Sequence, residues 1–365
     1  MGGTKGMKKF VLILLLSVLV FSFLLAGCGD STTAPEGIGS PKDTESEVYH
    51  LTFTDWGPEQ LTLAQQSVKA IKMVEERTNG RVKITPYFSE SLVKYEDTFS
   101  GISTGVADIA WFVSTFSTGI HDLNLIWHRL FSEEFPDHRV MSQVYKDLLN
   151  NVPELQEEME KTGVRWLSIF AMPGQDLHTT KKEVRTPEDI KGMKIQAYGD
   201  VSKMINKMGG AAIEVPVNDW YMGFERGLFE GQFLQWLTLD AMNLIELVNC
   251  HTVFGDGGLT NSGVGYLVNL ETWNNLPPDL QEILVECFDT VSEESVELLQ
   301  QETEAALQKL REKGNKFIEL TPEEMASWGE YVNDINQEWI EETEAKGLPA
   351  RDTFEEMMRL AKEYW

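Results

Sequence analysis

Cations are scarce in this chain: 31 Lys and Arg stand against 58 Asp and Glu in 365 residues, for a formal net charge of −27. Nucleic acid is bound through clustered Lys and Arg, so a surface this acidic excludes it as a partner. Cysteine is scarcer still, with three in all, and no disulfide framework can be built from so few. The six histidines, His50, His121, His128, His138, His178 and His251, have no paired helical spacing for zinc. Glu133-Glu134 and Glu157-Glu158 lack the alternating oxygens of a calcium loop and read as solvated faces or loops. No phosphate-cradling glycine loop occurs. Gly101-Ile102-Ser103-Thr104-Gly105 spells a nucleophile elbow, but that motif needs a strand before its serine and a helix after it. Here the order is reversed, and small residues ending a helix explain it. The sequence therefore predicts no enzyme, no cofactor and no metal.

Long apolar runs are also lacking, with one exception. Phe10 to Leu25 follows Lys5, Lys8 and Lys9, is shorter than a dependable membrane span, and ends in Leu25-Ala26-Gly27-Cys28. That order looks like a bacterial lipoprotein signal over residues 1–27, with Cys28 as the lipidated residue. An uncleaved membrane anchor is the alternative. Residues 28–47, rich in Ser, Thr, Gly, Pro and charge, read as a flexible tether. The expected location is the cell membrane, lipid-anchored on its extracytoplasmic side. Cys250 and Cys287 then either pair or stay apart; Cys287 falls on an apolar helical stripe, which favours two separate buried thiols.

What is present is an alternation of strands and helices long enough for two lobes. Tyr49, Leu51 and Phe53 alternate as a first strand, a helix runs from about Pro58 to Thr78, and Arg81–Tyr87 is a second strand. A helix near Tyr95–Thr104 leads into a third strand, Ala107–Val113. Strands at Gly163–Phe170 and Leu177–Thr180 carry the chain to a second, small parallel lobe. There Thr186-Pro187-Glu188-Asp189 caps a helical turn, and strands at Met193–Ala197, Ala211–Val215 and Glu230–Leu234 alternate with helices. The spacing predicts one long helix from Pro278 to about Glu312, able to run under both lobes. A coiled-coil dimer arm is the other use of its stripe. The expected boundaries are lobe I mainly 48–168, lobe II mainly 169–250, and crossover strands, bridging helix and terminal helices over 251–365.

Several segments in one order carry a resemblance: Thr186–Ile195, Gly210 to Pro216, Asp219-Trp220-Tyr221, and Gly227-Leu228-Phe229-Glu230-Gly231-Gln232. Together they resemble the substrate-binding proteins of TRAP (tripartite ATP-independent periplasmic) transporters, and the similarity extends over most of the chain after residue 48. The resemblance implies an α/β, two-lobed periplasmic-binding-protein-like fold with a hinge and a long helix bridging both lobes. It implies capture of a small organic ligand, delivery to the TRAP membrane permease subunits, and energy from an ion gradient at that permease. One departure stands out. The family's carboxylate-clamping arginine is replaced by Gln196.

Ligands of open α/β folds sit at strand ends, and aromatics collect there in this sequence. Trp56 ends the first strand, Trp111 and Phe112 the third, and Phe233 and Trp236 flank a lobe II strand. Alternation puts Trp111 and Phe112 on opposite faces, so only one of them meets a ligand. The resemblance assigns contacts to Trp56, Phe112, Gln196 and Phe233-Leu234, with Lys94, Leu177 and Val217 nearby. Lys94 and His178 are the nearest candidate donors, and Arg129 is a further one if a carboxylate is met away from Gln196. The predicted ligand is an aromatic or amphipathic organic acid, with a neutral or zwitterionic ligand held by Gln196 as the alternative, bound by a monomer. A ligand sensor presenting to a signalling receptor and an extracellular hydrolase are the competing classes.

Overall fold

The alternating Tyr49, Leu51 and Phe53 form strand β1 (Tyr49–Thr54), with Leu51 and Phe53 buried. The computed structural model describes residues 47–117, 119–131 and 135–365. The signal segment, Cys28, the tether up to residue 46 and the pair Glu133-Glu134 lie outside the described residues. Along the chain follow β2 (Val82–Tyr87), β3 (Ile109–Val113), β4 (Val164–Ala171), β5 (Gln175–Thr179) and β6 (Lys194–Gln196). Then come β7 (Ala211–Ile213), β8 (Gly231–Gln235), β9 (Cys250–Val253), β10 (Gly263–Asn269) and β11 (Lys316–Glu319).

They build two sheets. The first has the order β2-β1-β3-β10-β4 and the second β11-β9-β5-β8-β6-β7. Both are mixed: the three strands expected to run parallel in the second lobe do so, β6 beside β7 and β8, while β5 is antiparallel to β8 and β9, and β10 to β3 and β4. In each case the odd strand arrives from the other lobe rather than through a helical crossover within its own sheet.

Helices cover both faces of the first sheet, which is why β3 and β10 are buried through nearly their whole length. Phe112 and Trp166 face one cluster with helices His138–Asn151 and Ala350–Tyr364. Trp111 and Tyr266 face the other, with helix Thr62–Arg77 and the first half of the long helix. Helix His138–Asn151 was not expected from sequence, yet Asp137 caps it and Met141, Val144, Tyr145 and Leu148 form its buried stripe.

The long helix is Pro278–Lys313, 36 residues, closed by Gly314 in the left-handed region at φ 83°. Leu280 to Leu299 bury in the first lobe, whereas Ala306 and Leu310 bury beside Trp236 and Leu239 of the second. Two of its polar stripe positions are satisfied inside the chain: the Ser292 and Ser168 hydroxyls are 2.9 Å apart, and Ser295 donates to the Val291 carbonyl at 2.6 Å. The stripe that a dimer arm would use is already covered by its own two lobes.

Three links run side by side between the lobes. Met172 N donates to Ser262 O at 2.8 Å, Gln175 N to Thr260 O at 2.7 Å, and Phe131 N to Leu259 O at 2.8 Å. The glycine-rich turn 255–258 has its reason here: a Cβ on Gly257 would lie 2.6 Å from the Phe135 carbonyl oxygen, and one on Gly258 2.6 Å from Gln175 N. Cys250 and Cys287 are free and buried. Among the described residues, no helix is long and apolar enough to cross a membrane.

Candidate functional site

The sheets face one another across a cavity of about 390 Å³, a size suited to one small organic molecule. Trp56, immediately past β1, packs its ring 5.0 Å from Tyr95 and 6.2 Å from Trp111, and all three line the cavity. The second sheet contributes Gln196 at the end of β6 and Gln232, Phe233 and Leu234 from β8, with Val217, Tyr198 and Trp220 beside them. Met172, Thr260 and Ser262 of the interlobe links close the remaining side.

Of the residues predicted from sequence, Trp56, Gln196, Val217, Phe233 and Leu234 are thus brought together. Lys94, Phe112, Leu177, His178 and Trp236 are placed elsewhere. Lys94 is exposed and precedes a short 3-10 turn, so that its neighbour Tyr95 reaches the cavity instead. Phe112 points to the opposite face, 5.8 Å from Trp166, and Trp111 takes the inward position that alternation allows only one of them. Leu177 is fully buried in the second lobe's core. Trp236 donates its indole N–H to Asp176 at 2.6 Å and stacks on Phe317. Asp176 is pushed up to about 7 by burial, although Phe254 N and Trp236 both donate to it.

His178 belongs to a closed network. Its Nε2 donates to the Leu234 carbonyl at 2.9 Å, so its Nδ1 accepts from His251 Nδ1 at 2.8 Å. His251 Nε2 in turn accepts from Asn315 Nδ2 at 2.9 Å. Burial holds His178 well below its ordinary range and lowers His251 to about 4, so both rings are neutral. His128, which lines the cavity, donates Nε2–H to Ser114 Oγ at 2.6 Å while that hydroxyl donates to Gly263 O at 2.6 Å. Burial, reinforced by the Arg129 charge, pushes it down to about 3.

Arg129 and Lys203 are the cations in the cavity wall, beside the carboxylates of Asp200 and Glu214, and Arg129 is the buried one. It is paired with Asp200, donates Nε–H to Leu125 O at 3.0 Å, and stacks its guanidinium 4.4 Å over Trp339. Burial lowers its pKa, opposed by the Asp200 charge. Its Nη1 is buried without a partner in the protein, as are Trp111 Nε1, Gln196 Nε2 and both amide atoms of Gln232. Sequence reading set Trp111 beside Phe112 but assigned the contact to Phe112, and it passed over Gln232. Gln232 stood in a quoted motif, but its register opposite Gln196 is a tertiary fact. Among the described residues, no group of three or more His, Cys, Asp or Glu is placed to hold a metal. Ser103 ends helix Thr98–Ser103 and donates to Ser100 O at 3.2 Å, with β3 following it.

The pattern of the bacterial extracellular solute-binding proteins, family 7, matches residues 55–343. The chain is 23% identical over 289 residues to the C4-dicarboxylate-binding periplasmic protein DctP of Rhodobacter capsulatus, covering 78% of this chain and 84% of that protein. The fold is similar to that of a TRAP solute binding protein from Rhodoferax ferrireducens in complex with copurified benzoate. That likeness has a TM-score of 0.76 at 19% identity, over 87% of this chain and 98% of that one. A marine metagenome TRAP solute binding protein specific for aromatic acid ligands has the same TM-score, 0.76, at 20% identity over 87% and 99% of the two chains. These are binding proteins, not enzymes. The chain belongs to the bacterial extracellular solute-binding proteins of family 7, the TRAP-type solute receptors that its sequence resembles.

Proposed function

We propose that this protein captures an aromatic or amphipathic organic acid between its lobes and delivers it to a TRAP membrane permease. The observation that carries this reading is Arg129, which lines a cavity shared with Trp56, Tyr95, Trp111, Tyr198, Trp220 and Phe233 and whose buried Nη1 has no partner in the protein. A guanidinium N–H to a carboxylate is a charge-assisted bond, stronger than a neutral one. Arg129 thus offers from another wall the charge that Gln196 lacks. The aromatic acids bound by two structural neighbours fit this lining better than the C4-dicarboxylate of the Rhodobacter relative.

The expected carboxylate contact is Arg129, with Trp56, Gln196, Val217, Phe233 and Leu234 as further ligand contacts. Residues 48–168 and 169–250 supply the main part of each lobe. Cys28 is the expected lipid attachment site, holding a monomer at the membrane surface outside the cytoplasm. Isothermal titration calorimetry with phenylpropanoate and the matching neutral alcohol, phenylpropanol, tests the central point. The acid should bind at least roughly tenfold more tightly, about one charge-assisted hydrogen bond's worth. Equal affinity for the alcohol would sink the carboxylate assignment.

A further inference from the structure

One row of side chains crosses the second sheet on a single face. Gln196 on β6 is in register with Gln232 on β8, Gln232 with His178 on β5, and His178 with His251 on β9. Four polar residues in a buried row are costly unless their atoms are paired. At the far end they are: the His178–His251–Asn315 network is complete, with each ring nitrogen either donating or accepting. At the cavity end they are not. Gln196 is 1% exposed and Gln232 0%, yet Gln196 Nε2 and both Nε2 and Oε1 of Gln232 have no partner in the protein. Neighbouring strands put these two amides about 5 Å apart at their backbones, side by side on the cavity wall. They could have satisfied each other as an amide ladder, but the side-chain amide of Gln232 bonds to nothing in the protein.

Resting on the proposed carboxylate contact at Arg129, we infer that Gln196 and Gln232 form a second polar subsite, which selects a monocarboxylic acid bearing a hydroxyl or carboxamide group. The reasoning is one of donor and acceptor count. Whichever way the Gln232 amide is turned, it presents one donor group and one acceptor atom, and Gln196 adds a donor group. A hydroxyl or carboxamide both gives and accepts, so it pairs with all of them. A second carboxylate only accepts and sets a negative oxygen against the Gln232 carbonyl oxygen. A hydrocarbon leaves the buried amides unpaired. Sites built to hydrogen-bond a ligand group reject the analogue lacking it far more strongly than sites built of apolar contacts. Gln232 is therefore a specificity-determining residue of the cavity, and Gln196 acts with it rather than as a weak substitute for an arginine.

The test is calorimetry on the full mature chain with phenylpropanoate and its ring-hydroxy, ring-carbamoyl and ring-carboxy derivatives. Wild type should bind the hydroxy or carbamoyl acid at least roughly tenfold more tightly than the parent, and the dicarboxylate more weakly than the parent. In Gln232→Met the preference for the hydroxy or carbamoyl acid should fall to about one. The inference is overturned if wild type shows no preference, if it prefers the dicarboxylate, if Gln232→Met retains the wild-type ratio, or if no member binds. The matched neutral alcohols separate this from the carboxylate assignment: equal binding of acids and alcohols overturns Arg129 while the hydroxy-to-parent ratio still reads Gln232. A second measurement needs no ligand. Unliganded Gln232→Met should melt above wild type, because an unpaired buried amide is removed. A lower melting temperature would mean the amide is paired within the protein, and the inference fails. Gln196→Met repeats both readings from the neighbouring strand.

Discussion

Arg129 and Asp200 form an ion pair whose side chains are 1% and 10% exposed, which joins the interlobe segment to the first turn of the helix after β6. Burial pushes the Asp200 carboxyl up, but the Arg129 and Lys203 charges outweigh it and leave it below its usual value. Removing one member of a buried pair strands the other charge, at about 3–5 kcal/mol. Lys203 remains 3.1 Å from Asp200, so Arg129→Met should fall at the lower end of that range in urea unfolding. Adding Asp200→Leu should restore most of the loss. A double variant as unstable as the single one would show that the pair is not what the substitution disrupts.

The neutral His178–His251 pair makes a prediction about pH. Both rings take up a proton below about 6.5 in the unfolded chain, whereas in the folded chain His251 titrates at about 4 and His178 lies well below its ordinary range. A depressed folded-state pKa means that the pair's contribution is fully present above about pH 6.5 and is lost as pH falls toward 4. Asp55 and Asp176 act in the opposite sense. Burial raises each to about 7, so their contribution is present at low pH and lost as pH rises through 7. Ring NMR signals isolate the histidines from this opposition. The His251 signal should stay at its neutral position down to pH 5 and titrate near 4; a midpoint near 6.5 would refute the closed network.

Ligand that touches both lobes should favour a closed form, because only differential contact shifts such an equilibrium. Trp56 and Trp111 on one side and Gln232 and Leu234 on the other are positioned for that double contact. Small-angle scattering should show a smaller radius of gyration with a bound aromatic acid than without it, at one ligand per chain by calorimetry. Identical scattering profiles with and without a saturating acid would argue for a rigid receptor.

Cys28 follows the Leu25-Ala26-Gly27 segment in the order a lipoprotein signal requires. Cys28→Ser should release the protein from membranes or leave it unprocessed, as judged by fractionation and intact mass. Processing and retention like wild type would remove the lipid anchor from the account. Cys250 and Cys287 are free and buried, so they should react with a thiol reagent only after unfolding.

Local pattern was enough for the strands and the 36-residue bridging helix, because periodicity and end signals are properties of neighbouring residues; helix His138–Asn151 carried the same signals and was passed over. Ordered motifs were enough for the family. The wall positions of Trp56 and Gln196 were legible too, as strand ends in an α/β lobe. Pairing between distant strands was not. Phe112 and Trp111 are equivalent in sequence, and only the choice of which face of β3 meets helix His138–Asn151 sent Trp111 inward. His178 looked like a donor until the fold set it against His251, 73 residues away, and used both of its nitrogens. Gln232 acquired its role from a register with Gln196 across two strands. Sequence determined which segments fold and into what, since those forces act within a few residues. Tertiary structure decided which buried polar atoms find partners, because hydrogen-bond satisfaction depends on groups that only the completed sheets bring together.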